Sequence, residues 1–125
     1  MNNLNSLALA YLGDAIYELE IRTFLLNNNI VKVNDLQKEA IKFVSAKNQA
    51  YFLKKLLEIN FFTEEEIDII NRARNHKGNR HPKNTDIITY KHATAFEAVI
   101  GYWYQIKSPR FKEMMEIIYE EIHTH

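Results

Sequence analysis

The sequence predicts an all-α fold, a helical bundle formed by a single domain over residues 1–125. Apolar residues recur at spacings of three and four along most of the chain, which is the helical period, whereas the alternation typical of strands is rare. Only 3 glycines and 2 prolines are present, too few for a turn-rich β fold. Hydrophobic residues make up 46% of the chain and the formal net charge is +0, so we expect a folded, soluble domain rather than a disordered one.

The first two of five predicted helices are bounded by asparagine-containing signals. The first helix is predicted over residues 4–26, because the Asn-Asn-Asn run that follows it at residues 27–29 favours a turn. The second is predicted as one long helix that continues to residue 59. Its expected N-cap is Asn34, with Gln37 in the capping-box position.

The other three predicted helices begin at equally clear signals. Thr63 followed by Glu66 forms a capping box, and this third helix is predicted to reach residue 75. Residues 78–85 begin with Gly and include Pro, and they are predicted to form a loop. The fourth helix is predicted over residues 86–106. The pair Ser108-Pro109 then supplies an N-cap and a first-turn proline for a fifth helix that ends near residue 122.

The composition excludes several kinds of protein. Because the chain has no cysteine, it has no disulfide framework, no thiol nucleophile and no cysteine-ligated metal. No window approaches the ~20 apolar residues that a membrane span needs, so we expect no membrane association. The first residues lack the basic region of a signal peptide, and we therefore expect a cytoplasmic protein.

The first helix carries apolar residues on both sides. One stripe contains Leu9, Leu12, Ile16 and Leu19. The opposite stripe contains Leu7, Ala10, Asp14, Tyr17, Ile21 and Leu25. A helix that is apolar on both sides is buried on both sides, so we expect the second stripe to meet another subunit in a homodimer. The alternative is a central position in a monomeric bundle.

Two acids interrupt apolar helix faces, Asp14 in the first helix and Glu97 in the fourth. Burying an unpaired carboxylate is costly, so each acid needs a hydrogen-bond partner, a cation or a proton. If the two acids converge, their oxygen atoms suit Mg²⁺ or Mn²⁺ better than zinc. The alternative is a structural ion pair with a base such as Arg22 or Lys47.

Residues 72–83 form a basic segment without any acid. Its basic residues are Arg72, Arg74, Lys77, Arg80 and Lys83, and Asn75 and two histidines lie among them. Guanidinium and amide groups in a loop suit contacts with phosphate groups, so we expect an anionic partner. The alternative is a solvated loop that offsets the acidic start of the helix before it.

Two segments of the chain resemble the ribonuclease III family. Residues 11–18, Tyr-Leu-Gly-Asp-Ala-Ile-Tyr-Glu, resemble its signature helix F-L-G-D-A-V-L, and residues 96–101, Phe-Glu-Ala-Val-Ile-Gly, resemble its second acidic helix F-E-A-L-I-G. The basic segment, Val-Ser-Ala-Lys at residues 44–47 and Tyr-Lys-His-Ala-Thr at residues 90–94 are similar to the mini-ribonuclease III branch, which has no double-stranded-RNA-binding domain. The likeness covers essentially the whole chain.

This resemblance implies a ribonuclease III endonuclease-domain bundle that works as a homodimer and cleaves double-stranded RNA with Mg²⁺, with Mn²⁺ as the alternative ion. It implies a role in maturation of the large-subunit (23S) ribosomal RNA precursor, with a ribosomal protein as a further expected partner. Asp14 and Glu97 match the family's catalytic metal ligands, and Tyr11 matches an aromatic residue that inserts into the partner subunit. The residues expected to bind the RNA are Arg72, Arg74, Asn75, Lys77, Arg80 and Lys83.

The chain departs from the larger members of that family at three acidic positions. Those enzymes have glutamates where this chain has Leu7 and Ala10, and an aspartate where it has Thr94. Only two of five acids therefore remain, although the mini-type pattern is similarly reduced. Retention of both Asp14 and Glu97 favours an active nuclease. The alternatives are a catalytically silent dimer that binds RNA or a ribosomal protein, and a purely structural helical protein.

Overall fold

The computed structural model describes residues 5–30, 32–76 and 86–123. Within these ranges the chain forms six helices: α1 (Ser6–Asn27), α2 (Val33–Val44), α3 (Ala46–Glu58), α4 (Glu64–Arg74), α5 (Ile87–Gln105) and α6 (Arg110–His123). No strand occurs among these residues, so the predicted all-α fold is confirmed. The predicted loop over residues 78–85 lies outside the described residues. None of the six helices combines the length and apolar character that crossing a membrane requires.

The segment predicted as one long second helix is two helices, α2 and α3. Ser45 separates them because its backbone is extended, with φ −63° and ψ 150°. The Ser45 hydroxyl accepts a hydrogen bond from the Asn48 N–H at 3.2 Å and so caps α3. The predicted cap at Asn34 was also wrong, since α2 begins at Val33 after Lys32, whose side chain makes no capping bond. Apolar periodicity continues through Ser45 and therefore conceals the break.

Helix α1 begins at Ser6 after its N-cap Asn5, two residues later than predicted, and the predicted starts of the last three helices are confirmed. Thr63 accepts a hydrogen bond from the Glu66 N–H at 3.2 Å, and the Glu66 carboxylate accepts one from the Thr63 N–H at 2.9 Å, which completes the capping box. Asp86 caps α5 through a first-turn backbone N–H at 2.8 Å. The Ser108 hydroxyl accepts a hydrogen bond from the Arg110 N–H at 3.1 Å at the start of α6.

Helix α5 is the centre of the bundle and packs against α1, α3 and α4. It crosses α1 at backbone contact, and two glycines make that approach feasible. A Cβ atom added to Gly13 would lie 1.8 Å from the Glu97 carbonyl oxygen, and one added to Gly101 would lie 2.0 Å from the Leu9 carbonyl oxygen. The close crossing therefore fixes the neighbours of Gly13 on α1 beside Glu97 on α5.

A buried ion pair joins α4 to α6. Glu66, 5% exposed, accepts hydrogen bonds from Arg110 Nε at 3.0 Å, Arg110 Nη2 at 2.9 Å and Trp103 Nε1 at 2.9 Å. The guanidinium also lies over the Phe61 ring, 4.0 Å from its centroid. Burial raises the pKa of Glu66, but the hydrogen bonds from Arg110, Thr63 and Trp103 outweigh it and lower the pKa overall. These contacts anchor α6 to the bundle.

The stripe of α1 that was predicted to meet another subunit is instead its inner face. Tyr17, Ile21 and Leu25 from this stripe are buried in the core of the chain itself. The prediction that Asp14 is buried in the same stripe was also wrong, because the N-terminal half of the stripe, which contains Asp14, opens into a cleft. Leu19, on the other stripe, is 68% exposed.

Candidate active site

The close crossing of α1 and α5 places Asp14 and Glu97 in one cleft. The cleft has a volume of about 450 Å³ and is lined by the N-terminal half of α1, the junction of α2 and α3, and the first half of α5. Asp14 is exposed and Glu97 is half-buried. Leu7, Ala10 and Thr94 also line this cleft. They stand at the three positions where the larger enzymes that the chain resembles carry further acids. The predicted convergence of the two retained acids is therefore confirmed.

The two carboxyl groups perturb each other. Burial, a hydrogen bond with Asp14 and the negative charge of Asp14 together raise the pKa of Glu97 to about 9, from an ordinary value of 4.5. A hydrogen bond with the Gln49 side chain lowers this pKa, and the charge of Glu18 raises it. Two carboxylates this close repel each other unless a proton or a cation lies between them. The cleft therefore requires either a proton or a cation between the two carboxylates.

The alternative of a structural ion pair does not hold. Arg22 pairs with Glu18, at 3.3 Å from Nε to the carboxylate oxygen. Lys47 is exposed and takes part in none of the ion pairs of the described residues. Within these residues no Lys, Arg or His lies within salt-bridge distance of Asp14 or Glu97. The described residues therefore leave the charge of the pair for a ligand to balance.

The oxygen atoms at the cleft are suitable ligands for a hard cation. Beside the two carboxylates lies Gln49, 3% exposed, whose Nε2 donates a hydrogen bond to the Val44 carbonyl at 3.0 Å. Gln49 Oε1 is buried and has no hydrogen-bond partner among the described residues. The same residues contain no group of three His, Asp or Glu side chains suited to a metal. Two carboxylates match Mg²⁺, which usually takes one or two protein carboxylates and completes its shell with waters and substrate phosphates.

Gln49 is the site residue that sequence reasoning missed. It was assigned to the interior of a continuous helix, where a glutamine normally faces solvent. The break at Ser45 starts α3 beside the cleft instead, and this turns Gln49 inward. The available signal was Val-Ser-Ala-Lys at residues 44–47, which was used only as a family likeness.

The basic segment begins at the C-terminal end of α4. The exposed Arg72 side chain forms an ion pair with Asp68 one turn earlier, also exposed, and such a surface pair is weak. Arg74 is in the last turn of α4, and Asn75 is the C-cap residue. The other three predicted RNA-binding residues, Lys77, Arg80 and Lys83, lie outside the described residues. The next helix among the described residues is α5, which carries Glu97.

Tyr11 projects from α1 at the edge of the cleft and is 85% exposed. Burying such an exposed aromatic side chain against a partner surface lowers the free energy. A second cavity, of about 520 Å³, lies at the other end of the α1–α5 crossing. Its lining combines apolar and aromatic side chains with three polar ones: Ile16, Ile100, Trp103, Tyr104 and Phe111, and Gln105, Lys107 and Ser108.

Comparison with known proteins gives a consistent result. The family model described as "Ribonuclease III domain" matches residues 7–107. The chain is 50% identical to Mini-ribonuclease 3 of Desulfitobacterium hafniense, in a match that covers 80% of this chain and 62% of that protein. It is 42% identical to Mini-ribonuclease 3 of Clostridium tetani over 97% of this chain and 82% of that protein. A crystal structure of a Fusobacterium nucleatum protein superposes with a TM-score of 0.84 and 37% identity, covering 94% of this chain and 95% of the other.

Proposed function

The chain belongs to the ribonuclease III family, and from that premise we propose that it cleaves double-stranded RNA with Mg²⁺ as a cytoplasmic homodimer. As a member of this family it is an endoribonuclease. We propose further that its substrate is the precursor of large-subunit (23S) ribosomal RNA, and that a ribosomal protein assists. The observation that carries the proposal is the convergence of Asp14 and Glu97 in an open cleft where the described residues supply no base.

Asp14 and Glu97 are the residues that would hold the ion. Bound Mg²⁺ supplies an activated water and stabilises the negative charge that develops on the phosphate in the transition state; Mn²⁺ is the alternative. The high pKa of Glu97 means that this carboxyl keeps its proton at neutral pH until a cation replaces it. The Thr94 hydroxyl donates a hydrogen bond to the Tyr90 carbonyl at 2.9 Å, so its hydrogen is already engaged within α5. Hydrolysis by water needs no side-chain nucleophile.

An acidic cleft repels phosphate groups, so RNA binding needs basic residues nearby. We assign this role to the basic segment, with Arg72, Arg74, Asn75, Lys77, Arg80 and Lys83. Changing Arg72, Arg74, Lys77 and Arg80 together to alanine should weaken RNA binding and make its log–log salt dependence shallower by roughly one unit for each lost phosphate contact. An unchanged salt dependence would mean that this segment is only a solvated surface.

Dimerisation is supported by the surface around α1. Exposed Tyr11 and the cavity formed by Ile16, Ile100 and Tyr104 fit an arrangement in which each Tyr11 enters the cavity of the other subunit. In such a two-fold arrangement both subunits gain the same contact. The two clefts would then act on the two strands of one RNA duplex.

A second candidate function is a dimer that binds RNA without cleaving it. It is favoured by the neutral side chains of Leu7, Ala10 and Thr94 around the cleft, since they leave two acids for the ion. The same RNA affinity is expected of both candidates, so binding alone does not separate them.

A cleavage assay separates them directly. The purified chain would be incubated with a labelled RNA duplex that carries the paired ends of the 23S precursor, with Mg²⁺ or with a chelator. The single-stranded RNA and a DNA duplex of the same sequence serve as controls. We expect cuts in both strands of the RNA duplex only when Mg²⁺ is present. Binding without any cleavage would favour the silent dimer, and cleavage in chelator would contradict the metal assignment.

A further inference from the structure

A second groove lies between α3 and α5, next to the acidic cleft. It has a volume of about 250 Å³, and its polar lining includes Lys47, Lys54, Thr89 and His92. No acid lines it. Both α3 and α5 line the groove and the cleft. On each helix, residues that line the groove are next in sequence to residues that line the cleft. A ligand that fills the cleft can therefore continue into the groove.

Lys47 and Lys54 are exposed, and neither joins an ion pair in the described part of the chain. They are seven residues apart on α3, which places them on one face about 10 Å apart along the helix axis. A nucleic-acid strand has one phosphate per 3.4 Å or so along the duplex axis, so this separation corresponds to about three phosphates when α3 lies along that axis. The two positive charges are thus spaced to contact one strand beyond the cleft.

His92 adds a hydrogen-bond acceptor to the same groove. Its Nδ1 lies 2.8 Å from the Ile88 carbonyl oxygen, and because a carbonyl can only accept, Nδ1 carries the proton. In the neutral ring Nε2 is then unprotonated and accepts hydrogen bonds. Along a duplex backbone the phosphate and ring oxygens only accept, whereas the ribose 2′-hydroxyl of RNA can donate.

We propose that this groove binds the RNA backbone beside the cleavage point, with Lys47 and Lys54 on phosphates and His92 Nε2 on a ribose 2′-hydroxyl. His92 lies five residues from Glu97 on α5, about 7.5 Å along the axis, so the contacted ribose is about two nucleotides from the cleft. The inference rests on the proposed function and adds to it how the site distinguishes RNA from DNA.

The phosphate contacts are tested with two double variants that remove the same charge. Lys47→Gln/Lys54→Gln changes the groove, and Lys32→Gln/Lys112→Gln changes two exposed lysines elsewhere, at the start of α2 and in the first turn of α6. Affinity for an RNA duplex is measured by fluorescence anisotropy in chelator over a range of salt concentrations. We expect the log–log salt slope to become shallower by about two units for the groove variant and to be unchanged for the control.

The 2′-hydroxyl contact is tested with His92→Phe, which keeps a planar ring and removes the acceptor. We expect the affinity for an RNA duplex to fall by roughly two- to tenfold, as for the loss of one hydrogen bond, and the affinity for the matching DNA duplex to be unchanged. The salt slope of this variant should equal that of the wild-type protein. Circular dichroism on every variant checks that the helices and the melting temperature are retained.

Four results would overturn the inference. If the groove variant and its control have the same salt slope, the lysines do not contact phosphates. If His92→Phe weakens RNA and DNA binding equally, the 2′-hydroxyl contact is wrong. A wild-type protein that binds no RNA duplex would refute the proposed function together with this inference, whereas wild-type binding and cleavage with unaffected variants would refute the groove alone.

Discussion

Changing Glu97 to glutamine should stabilise the metal-free protein. Glutamine has nearly the same shape as glutamate and carries no charge, so the variant needs neither a proton nor a cation beside Asp14 and leaves no cavity. A structural acid would give the opposite result, because breaking a buried ion pair typically costs about 3–5 kcal/mol. The sign of the change therefore decides between a metal-binding acid and a structural one.

The size of the effect follows from the pKa of Glu97, which is about 9 in the folded chain against an ordinary value of 4.5. Because the pKa is raised on folding, the stability contributed by this carboxyl is fully present below pH 4.5 and is lost as the pH rises towards 9. The loss is about 1.4 kcal/mol per pH unit, which amounts to about 3 kcal/mol at pH 7. The glutamine side chain does not titrate and should recover up to that amount.

The assay is urea unfolding, followed by circular dichroism in chelator at pH 5, 7 and 9. Glu39→Gln is the matched control, because Glu39 is an acid on α2 whose ion-pair partner among the described residues is the exposed Lys42. We expect Glu97→Gln to exceed the wild-type protein in stability by an amount that grows from pH 5 to pH 9, and the control to follow the wild type. Mg²⁺ should stabilise the wild type and not Glu97→Gln. A Glu97→Gln protein less stable than the wild type at pH 7 in chelator would refute the reasoning.

Three further predictions concern the fold and the assembly. Gly13→Ala should lower the unfolding free energy by more than about 2 kcal/mol despite its better helix propensity, because the new Cβ meets the Glu97 carbonyl oxygen at 1.8 Å; chemical denaturation measures this. Glu66→Gln should cost about 3 kcal/mol by removing the buried carboxylate that pairs with Arg110 and leaving that guanidinium, among the described residues, with the exposed Glu113 as its ion-pair partner; since the pKa of Glu66 is lowered on folding, the wild type should lose this advantage over the variant as the pH falls below 4.5. Tyr11→Ala should shift a dimer towards monomer in light scattering at micromolar concentration, and a wild-type monomer there would contradict the dimer.

Local signals in the sequence were sufficient to predict the fold, and they failed where packing decides. The capping box at Thr63 and the Ser108-Pro109 start of α6 act over two to four residues, so both could be predicted from the sequence. The break at Ser45 could not, because a serine within apolar periodicity is compatible with either a continuous helix or a cap.

The candidate site was predicted in its chemistry but not in its surroundings. Asp14 and Glu97 were identified as converging acids, yet a helical wheel does not show that the stripe containing Asp14 is open at one end and buried at the other. The wheel likewise could not decide which face of α1 meets the core, since both faces are apolar. Gln49 required the α2–α3 junction, which only the tertiary structure gives.

The most direct test of the central claim is the rate of RNA cleavage in a single turnover, with protein in saturating excess over an RNA duplex and with Mg²⁺ present. Under these conditions the rate reports on the cleft and is independent of binding. Asp14→Asn and Glu97→Gln should each slow cleavage by at least about a hundredfold, since each removes one of the two carboxylates that hold the ion, while Glu39→Gln should cleave at the wild-type rate. Wild-type cleavage rates in either Asp14→Asn or Glu97→Gln would contradict the claim that these two acids form the catalytic centre.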